Sequence, residues 1–293
     1  LRAGKHTVTW GVGYFFSPAD IINLERVDPE DPERDREGPV SLRAQIPVAP
    51  HLASLYVLPP VGDRTAYALA FRGDIVVDRF EFGAGGYWEY DRVKSGTLTA
   101  TGSIGRVSVF GELSLRDSIE RSYVQDTDVT PETPLGLELV TEDGVDFAAT
   151  AGLRYSPRNP TGKLGVTTIA QYYFNADGYA DSEILRERAD EIPALLTEGL
   201  EASDLVETGR HYAAVQVSWL EIANTPVSTT IFWLSGFTDL SGAVTASVSW
   251  EPWDHVRLGG EIRYEYGPDA SEFAPEGRRL SAIASASVGA GRF

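Results

Sequence analysis

The stretch HVRLGGEIRYEYG, residues 255–267, constrains the chain more than any other. Val256, Leu258, Gly260, Ile262, Tyr264 and Tyr266 form an apolar and aromatic row, while Arg257, Gly259, Glu261, Arg263 and Glu265 form a charged one. Side chains repeat every second residue in a strand and every 3.6 residues in a helix, so strict alternation fits a strand between two unlike surroundings. The pattern returns throughout. Phe147, Ala149, Ala151, Leu153 and Tyr155 oppose Asp146, Thr150 and Arg154; Phe80, Phe82, Trp88 and Tyr90 oppose Glu81, Tyr87 and Glu89. Val107, Val109, Leu113 and Leu115 oppose Ser108, Glu112 and Arg116, and Val244, Val248 and Trp250 oppose Thr245, Ser247 and Ser249. Val215, Val217 and Trp219 repeat the arrangement against Gln216 and Ser218.

About fourteen such segments begin near residues 5, 41, 52, 65, 79, 97, 106, 145, 162, 210, 227, 243, 255 and 279. Runs of roughly ten residues exceed the usual globular strand of about five or six and match a tilted strand that crosses a bilayer. The connectors sharpen the expectation. Long ones, near 17–40, 118–143, 176–208 and 267–278, all follow odd-numbered segments, whereas even-numbered segments end in short turns such as SPRNPTGK, ANTP and EPWDH. An up-and-down meander then has its long loops at one end and its short turns at the other, the asymmetry of an outer-membrane barrel. Rows tipped by Trp88, Tyr90, Tyr155, Trp219, Trp250, Tyr264 and Tyr266 read as aromatic girdles at a lipid–water boundary. A soluble β-sandwich is the competing fold; its apolar rows would face a core, and its loops would show no preference of side.

Composition excludes several function classes. A net charge of −18 and the absence of a basic stripe argue against nucleic-acid binding. With no Cys there is no disulfide framework, thiolate metal site or Cys nucleophile. Met is absent even at position 1, which reads as a mature, trimmed or engineered chain. No run approaches the roughly 18 apolar residues of a spanning helix, which leaves a closed barrel as the way through a membrane.

The N-terminal residues carry a resemblance. Gly4, Lys5, His6, Val8, Trp10 and Gly11, then Asp20, Asn23, Asp28 and Pro29, then Arg43, are similar to the pattern Gly-Arg/Lys-Gln-x-hydrophobic-x-Trp-Gly, an Asp/Asn/Asp-Pro loop and an Arg-bearing strand. This is the pattern of a group of porin-like bacterial outer-membrane β-barrel proteins, with His6 standing where they carry Gln. The resemblance covers about 40 residues. It implies an integral outer-membrane barrel and strand sequence ahead of this motif, for sixteen strands in all. It also implies a terminal aromatic, here Phe293, read by the barrel-assembly machinery. The apolar row near that end is Leu280, Ala282, Ala284, Ala286, Val288 and Ala290, out of phase with Phe293, so a bulge or an unusual terminal signal is expected.

If the apolar rows meet lipid, the opposite rows line a lumen carrying Arg72, Glu81, Glu89, Glu112, Arg116, Asp146, Arg154, Arg257, Glu261, Arg263 and Glu265. Both signs occur, so cross-strand pairing is expected. Either the remaining field forms a constriction that selects polar solutes, or salt bridges close the interior. Ile21, Ile22 and Leu24 begin a loop that could fold inward. Its acidic tail, with Glu25, Asp28, Glu30, Asp31, Glu33, Asp35 and Glu37 among Arg26, Arg34 and Arg36, reads as a solvated loop rather than a calcium site, since no EF-hand spacing is present. The one helical pattern is 181–209, with Ser182 as cap, Ile184, Leu185 and Ile192 as a stripe, and Pro193 ending its first part. It is either a lid over the mouth or a surface excursion without a role in transport.

His6, His51, His211 and His255 form no H-x-x-x-H pair and adjoin no nucleophile elbow, and GAGGYW at 83–88 sits in a strand, where its glycines relieve crowding or permit bending. No enzyme activity, metal or cofactor is therefore expected. The sequence reads as one all-β domain over 1–293, an antiparallel up-and-down transmembrane barrel of about 14 strands. It would act as a passive channel for small polar solutes or ions, with outer-membrane lipid around it. A transporter of hydrophobic compounds and a non-conducting surface-binding barrel are the alternatives.

Overall fold

The computed structural model describes residues 1–23, 26–61, 66–90, 93–117, 121–131, 133–142, 144–157, 165–222 and 225–289. Strands β1 (Arg2–Lys5), β2 (Val40–Val48), β3 (His51–Leu58), β4 (Ala68–Val77), β5 (Phe80–Glu89), β6 (Lys94–Ile104) and β7 (Val107–Asp117) follow in order. A hairpin of β8 (Arg121–Asp126) and β9 (Leu137–Glu142) precedes β10 (Val145–Tyr155) and β11 (Val166–Asn175). Two short helices, α1 (Glu183–Glu187) and α2 (Ile192–Leu195), come next. The chain ends with β12 (His211–Trp219), β13 (Val227–Gly236), β14 (Ser241–Trp253), β15 (Val256–Tyr266) and β16 (Arg279–Val288). Leaving out β8 and β9, which pair only with each other, the strands form one 14-stranded antiparallel sheet in chain order.

Alternation decides which face points where. Along β4, Phe71 and Ile75 are 61% and 54% exposed, whereas Ala70 and Arg72 are 0% and 8% exposed. Around the sheet the outer row carries Leu98, Leu115, Phe147 and Val248, while Thr97, Thr99, Glu112, Ser114, Thr150 and Gln171 are buried. This inverts a water-soluble protein, in which apolar rows are buried and polar rows exposed. It excludes the sandwich. The inner faces of β3 to β5, β7, β11 to β13 and β15 all converge on one connector, residues 6–39, so the sheet curls around it as a barrel. Among the described residues, β1 and β16 are the terminal strands of the order and share no ladder.

The ends of the barrel differ as the connector lengths predict. At one end sit the tight turns 49–50, 78–79, 105–106 and 254–255, and there too β10 ends and β11 begins, and β12 ends and β13 begins. Gly105, at φ 65°, adopts the left-handed conformation that two-residue hairpin turns demand. At the other end are 6–39, 118–144, 176–210 and 267–278. Trp88, Tyr90, Tyr264 and Tyr266 cluster at the long-loop end of β5 and β15, and Tyr155, Trp219 and Trp250 at the short-turn end of β10, β12 and β14. The expected girdle residues therefore fall into two rings, one at each end.

Three expectations are corrected. The first strand stops at Lys5, and residues 6–16 leave the sheet for the interior. The amides of Val12, Gly13, Tyr14 and Phe15 are satisfied by inward side chains instead of a neighbouring strand, which offsets part of the cost of leaving the ladder. The connector 118–144 contains the unpredicted hairpin β8–β9. The helical stretch 181–209 is broken into α1, α2 and a 3₁₀ turn at Ala202–Leu205, because Pro193 sits at the second position of α2, where its missing N–H costs nothing. Ser182 occupies the cap position of α1, but the Asp181 carboxylate is what accepts the Glu183 amide. Ile184, Leu185 and Ile192 do form an apolar stripe, packed on Val124, Leu137, Leu195 and Leu200 in a small core shared with the hairpin. Leu24, Glu25, Ala290 and Phe293 lie outside the described residues, as does most of the SPRNPTGK turn.

Candidate functional site: the lumen and its inward segment

Residues 6–23 enter the barrel and are held there chiefly by two inward side chains. Glu112, at mid-strand in β7, accepts the amides of Val12 and Gly13 on one carboxylate oxygen and that of Ala19 on the other, at 2.9 Å; the Ser17 hydroxyl also donates to it. Gln171, in β11, accepts the amides of Tyr14 and Phe15 at 3.0 and 2.8 Å, and its own NH₂ donates to the Phe16 carbonyl and the Thr150 hydroxyl. Together they replace the ladder that residues 12–19 would have had in a strand. A buried carboxylate is tolerated because backbone donors converge on it.

Apolar contacts complete the anchorage. Phe15 and Phe16 pack among Ile169, Tyr173, Tyr212, Phe232 and Leu234, and Phe16 stacks on Tyr173 at 4.8 Å between centroids. Val8, Trp10 and Ile22 pack with Tyr56, Leu58, Ala70 and Tyr87. Gly85 makes room for this second cluster: a Cβ there would lie 2.7 Å from the Trp10 ring. The GAGGYW glycines thus relieve crowding, since a Cβ on Gly83 would collide with the Arg72 guanidinium and one on Gly86 with the Phe71 ring.

The N-terminal motif residues meet in space. Asn23 accepts the Val8 amide at 3.0 Å and donates to the Val8 carbonyl at 2.7 Å and to Asp20 at 2.8 Å. Asp20 is ion-paired with Arg36, and burial still pushes its carboxyl above the ordinary value against the opposing pull of Arg36. Arg43 lies over the Tyr56 ring, which meets Trp10 edge-on at 5.9 Å.

The eleven charged residues expected in the lumen separate into groups. Arg72, Glu112 and Arg154 face inward and hold the segment: Arg72 donates to the Trp10 carbonyl at 2.8 Å and Arg154 to the Tyr14 hydroxyl at 3.1 Å. Arg263 binds Glu265 at 2.8 Å and Glu30, farther along the same connector, at 2.6 Å. Arg116 and Glu89 line a cavity of about 360 Å³ between the segment and the wall. Asp146 lines a separate cavity with Tyr123, Tyr179 and Arg210 under the hairpin. Arg257, paired with Glu251, and Glu81 lie toward the short turns, and Glu261 is half-buried on the inner face of β15. The expected cross-strand pairing is only part of the picture. Arg72–Asp74 and Arg263–Glu265 pair along their own strands, where residues two apart share a face.

Other residues of the site escaped sequence reasoning. Gln171 is uncharged, and nothing local marks it. Phe232 and Leu234 had a signal: TTIFWLSGF is apolar on both faces, as a strand with apolar neighbours on both sides must be. At the mouth, Glu272 accepts the Tyr212 hydroxyl at 2.8 Å and the Thr208 hydroxyl at 2.9 Å, tying connector 267–278 to 176–210. Burial, assisted by the nearby Asp239 and Glu207 charges, raises the Glu272 carboxyl to about 7.

No protein-family model and no curated protein matches the chain. Among solved structures it is similar to Pseudomonas aeruginosa OccD3 (OpdP), at 11% identity and a TM-score of 0.46 over 98% of this chain and 74% of that one. It is also similar to OmpT (in-vitro folded), an outer membrane protein of Vibrio cholerae. There the identity is 11% and the TM-score 0.39, over 87% of this chain and 89% of the other.

Proposed function

We propose that the chain is an integral barrel of a bacterial outer membrane that passes small polar solutes or ions passively through a lumen narrowed by residues 6–39. The observation that carries this reading is the inversion of the wall. An apolar belt between two aromatic rings faces outward, while the inner face carries buried polar and charged side chains beside the apolar patches that seat the inward segment, and retains a cavity of about 360 Å³ next to it. Strands of about ten residues rise roughly 33 Å; tilted by about 40°, they cover the ~25 Å apolar band of such barrels. No chemical step is invoked: size, hydrogen bonding and field at the constriction do the selecting.

One observation favours a second reading, a non-conducting surface-binding barrel. The segment is packed into two apolar clusters, and the hairpin with α1 and α2 builds a separate small core at the long-loop end. Single-channel recording of the folded chain in a planar bilayer separates the two. Discrete steps that scale with salt concentration support the channel, and a correctly inserted barrel without steps rejects it in favour of surface binding.

A further inference from the structure

The cavity beside the inward segment has an imbalance of charge partners. Its acids are engaged by the protein itself: Asp20 by Arg36 and Asn23, Glu89 by the Tyr87 hydroxyl at 2.8 Å, and Glu207 by Arg26 at 3.2 Å and the Tyr173 hydroxyl at 3.0 Å. The cations are not matched in the same way. Arg26 is used by Glu207, whereas Arg116, though within electrostatic reach of Glu207 and Asp177, makes no hydrogen bond and no ion pair within 4 Å among the described residues, and borders the same space. A guanidinium presents five N–H donors in a planar fork that fits a carboxylate through two parallel hydrogen bonds. Leaving such a fork unmatched inside a partly desolvated cavity is costly, which favours an acceptor arriving from outside.

We infer that this cavity is a binding site for a small carboxylate-bearing solute, with Arg116 as the group that grips the carboxylate. The remaining lining fits such a molecule. Ser95 supplies a neutral hydroxyl, and Ile21, Val27 and Val93 an apolar wall for a short hydrocarbon tail. The volume falls within the roughly 300–1,000 Å³ of small-molecule sites. Because the overall charge of −18 repels anions at long range, a fixed cation in the lumen beside the inward segment is what would let them in. The inference deepens the channel reading and rests on it for transport, though not for binding.

Two measurements on the full, detergent-folded chain keep the ideas apart. Calorimetric titration with butyrate and with its uncharged isostere butyramide reads the site, and bilayer conductance in KCl reads the pore. Butyrate should bind about tenfold more tightly than butyramide, in line with one charge-assisted hydrogen-bond pair. Arg116→Gln should abolish that difference, and Arg116→Lys should keep part of it. Equal binding of the two solutes by the unmodified chain overturns the carboxylate site, even where conductance steps are present. Butyrate preference that depends on Arg116 in a silent barrel upholds the site and rejects the channel. The comparison of solutes on the unmodified chain stands even if Arg116→Gln fails to fold.

Discussion

Replacing Glu112 by Gln keeps the volume and the hydrogen-bonding plane of the side chain but turns one acceptor oxygen into an NH₂ donor. In the native site Oε1 serves Val12 and Gly13 while Oε2 serves Ala19. The substituted side chain can keep its carbonyl toward Val12 and Gly13, in which case its NH₂ faces the Ala19 amide, donor against donor. The alternative flip loses two bonds to keep one. An amide left unsatisfied in a buried place costs about 1–3 kcal/mol, and the surviving bonds fall from charge-assisted to neutral strength, a further ~1 kcal/mol in total. Removing a buried charge relieves part of its desolvation cost, so the net loosening of residues 12–19 is about 2 kcal/mol. Local opening governs amide exchange, so the amides of Val12, Gly13 and Ala19 should exchange about 30-fold faster in Glu112→Gln, while mid-strand amides of β7 and β10 stay protected. Under the channel reading, conductance should rise with the same substitution. A folded Glu112→Gln barrel whose 12–19 amides exchange at the native rate would refute the claim that Glu112 holds the segment in the lumen.

Two further outcomes follow from the geometry. The Glu272 carboxyl is raised from 4.5 to about 7 in the folded protein, so its favourable contribution is complete below about pH 4.5 and is lost as pH rises through 7. The loss amounts to about 3 kcal/mol in all, of which a little over 1 kcal/mol falls between pH 6 and pH 8, so protection factors in 267–278, with the intrinsic base-catalysed exchange divided out, should be about tenfold lower at pH 8 than at pH 6; Glu272→Gln should flatten that dependence, and pH-independent native protection factors would contradict the assignment. Gly85→Val should push the Trp10 ring out of its cluster, because a Cβ already meets the ring at 2.7 Å. The expected cost is about 1–3 kcal/mol, the range for overpacking, read as a red-shifted tryptophan emission; an unchanged spectrum would show that the wall can yield.

Much of the architecture was legible without coordinates because it is written at short range. Period-two alternation is a local property, so every strand of the main sheet after the first, the side of the barrel on which long connectors lie, and the two-ring placement of Trp88, Tyr264, Tyr155 and Trp250 could be read directly. The inversion needed one more step: alternation says that two faces differ, but only closure around residues 6–39 tells which face is inside. The interior itself was beyond the sequence. Val12 meets Glu112 and Phe15 meets Gln171, partners about 100 and 156 residues away, and no spacing rule connects them. A row of charged residues on an inner face looks the same whether it lines water or grips a backbone. Arg72 and Glu112 do the second, and Arg116 keeps its donors for the cavity. The sequence by itself determined the long strands of the wall after the first and their order, since each depends on its own neighbours. Tertiary structure alone decided what fills the barrel, since that depends on which distant side chains satisfy amides that have no strand beside them.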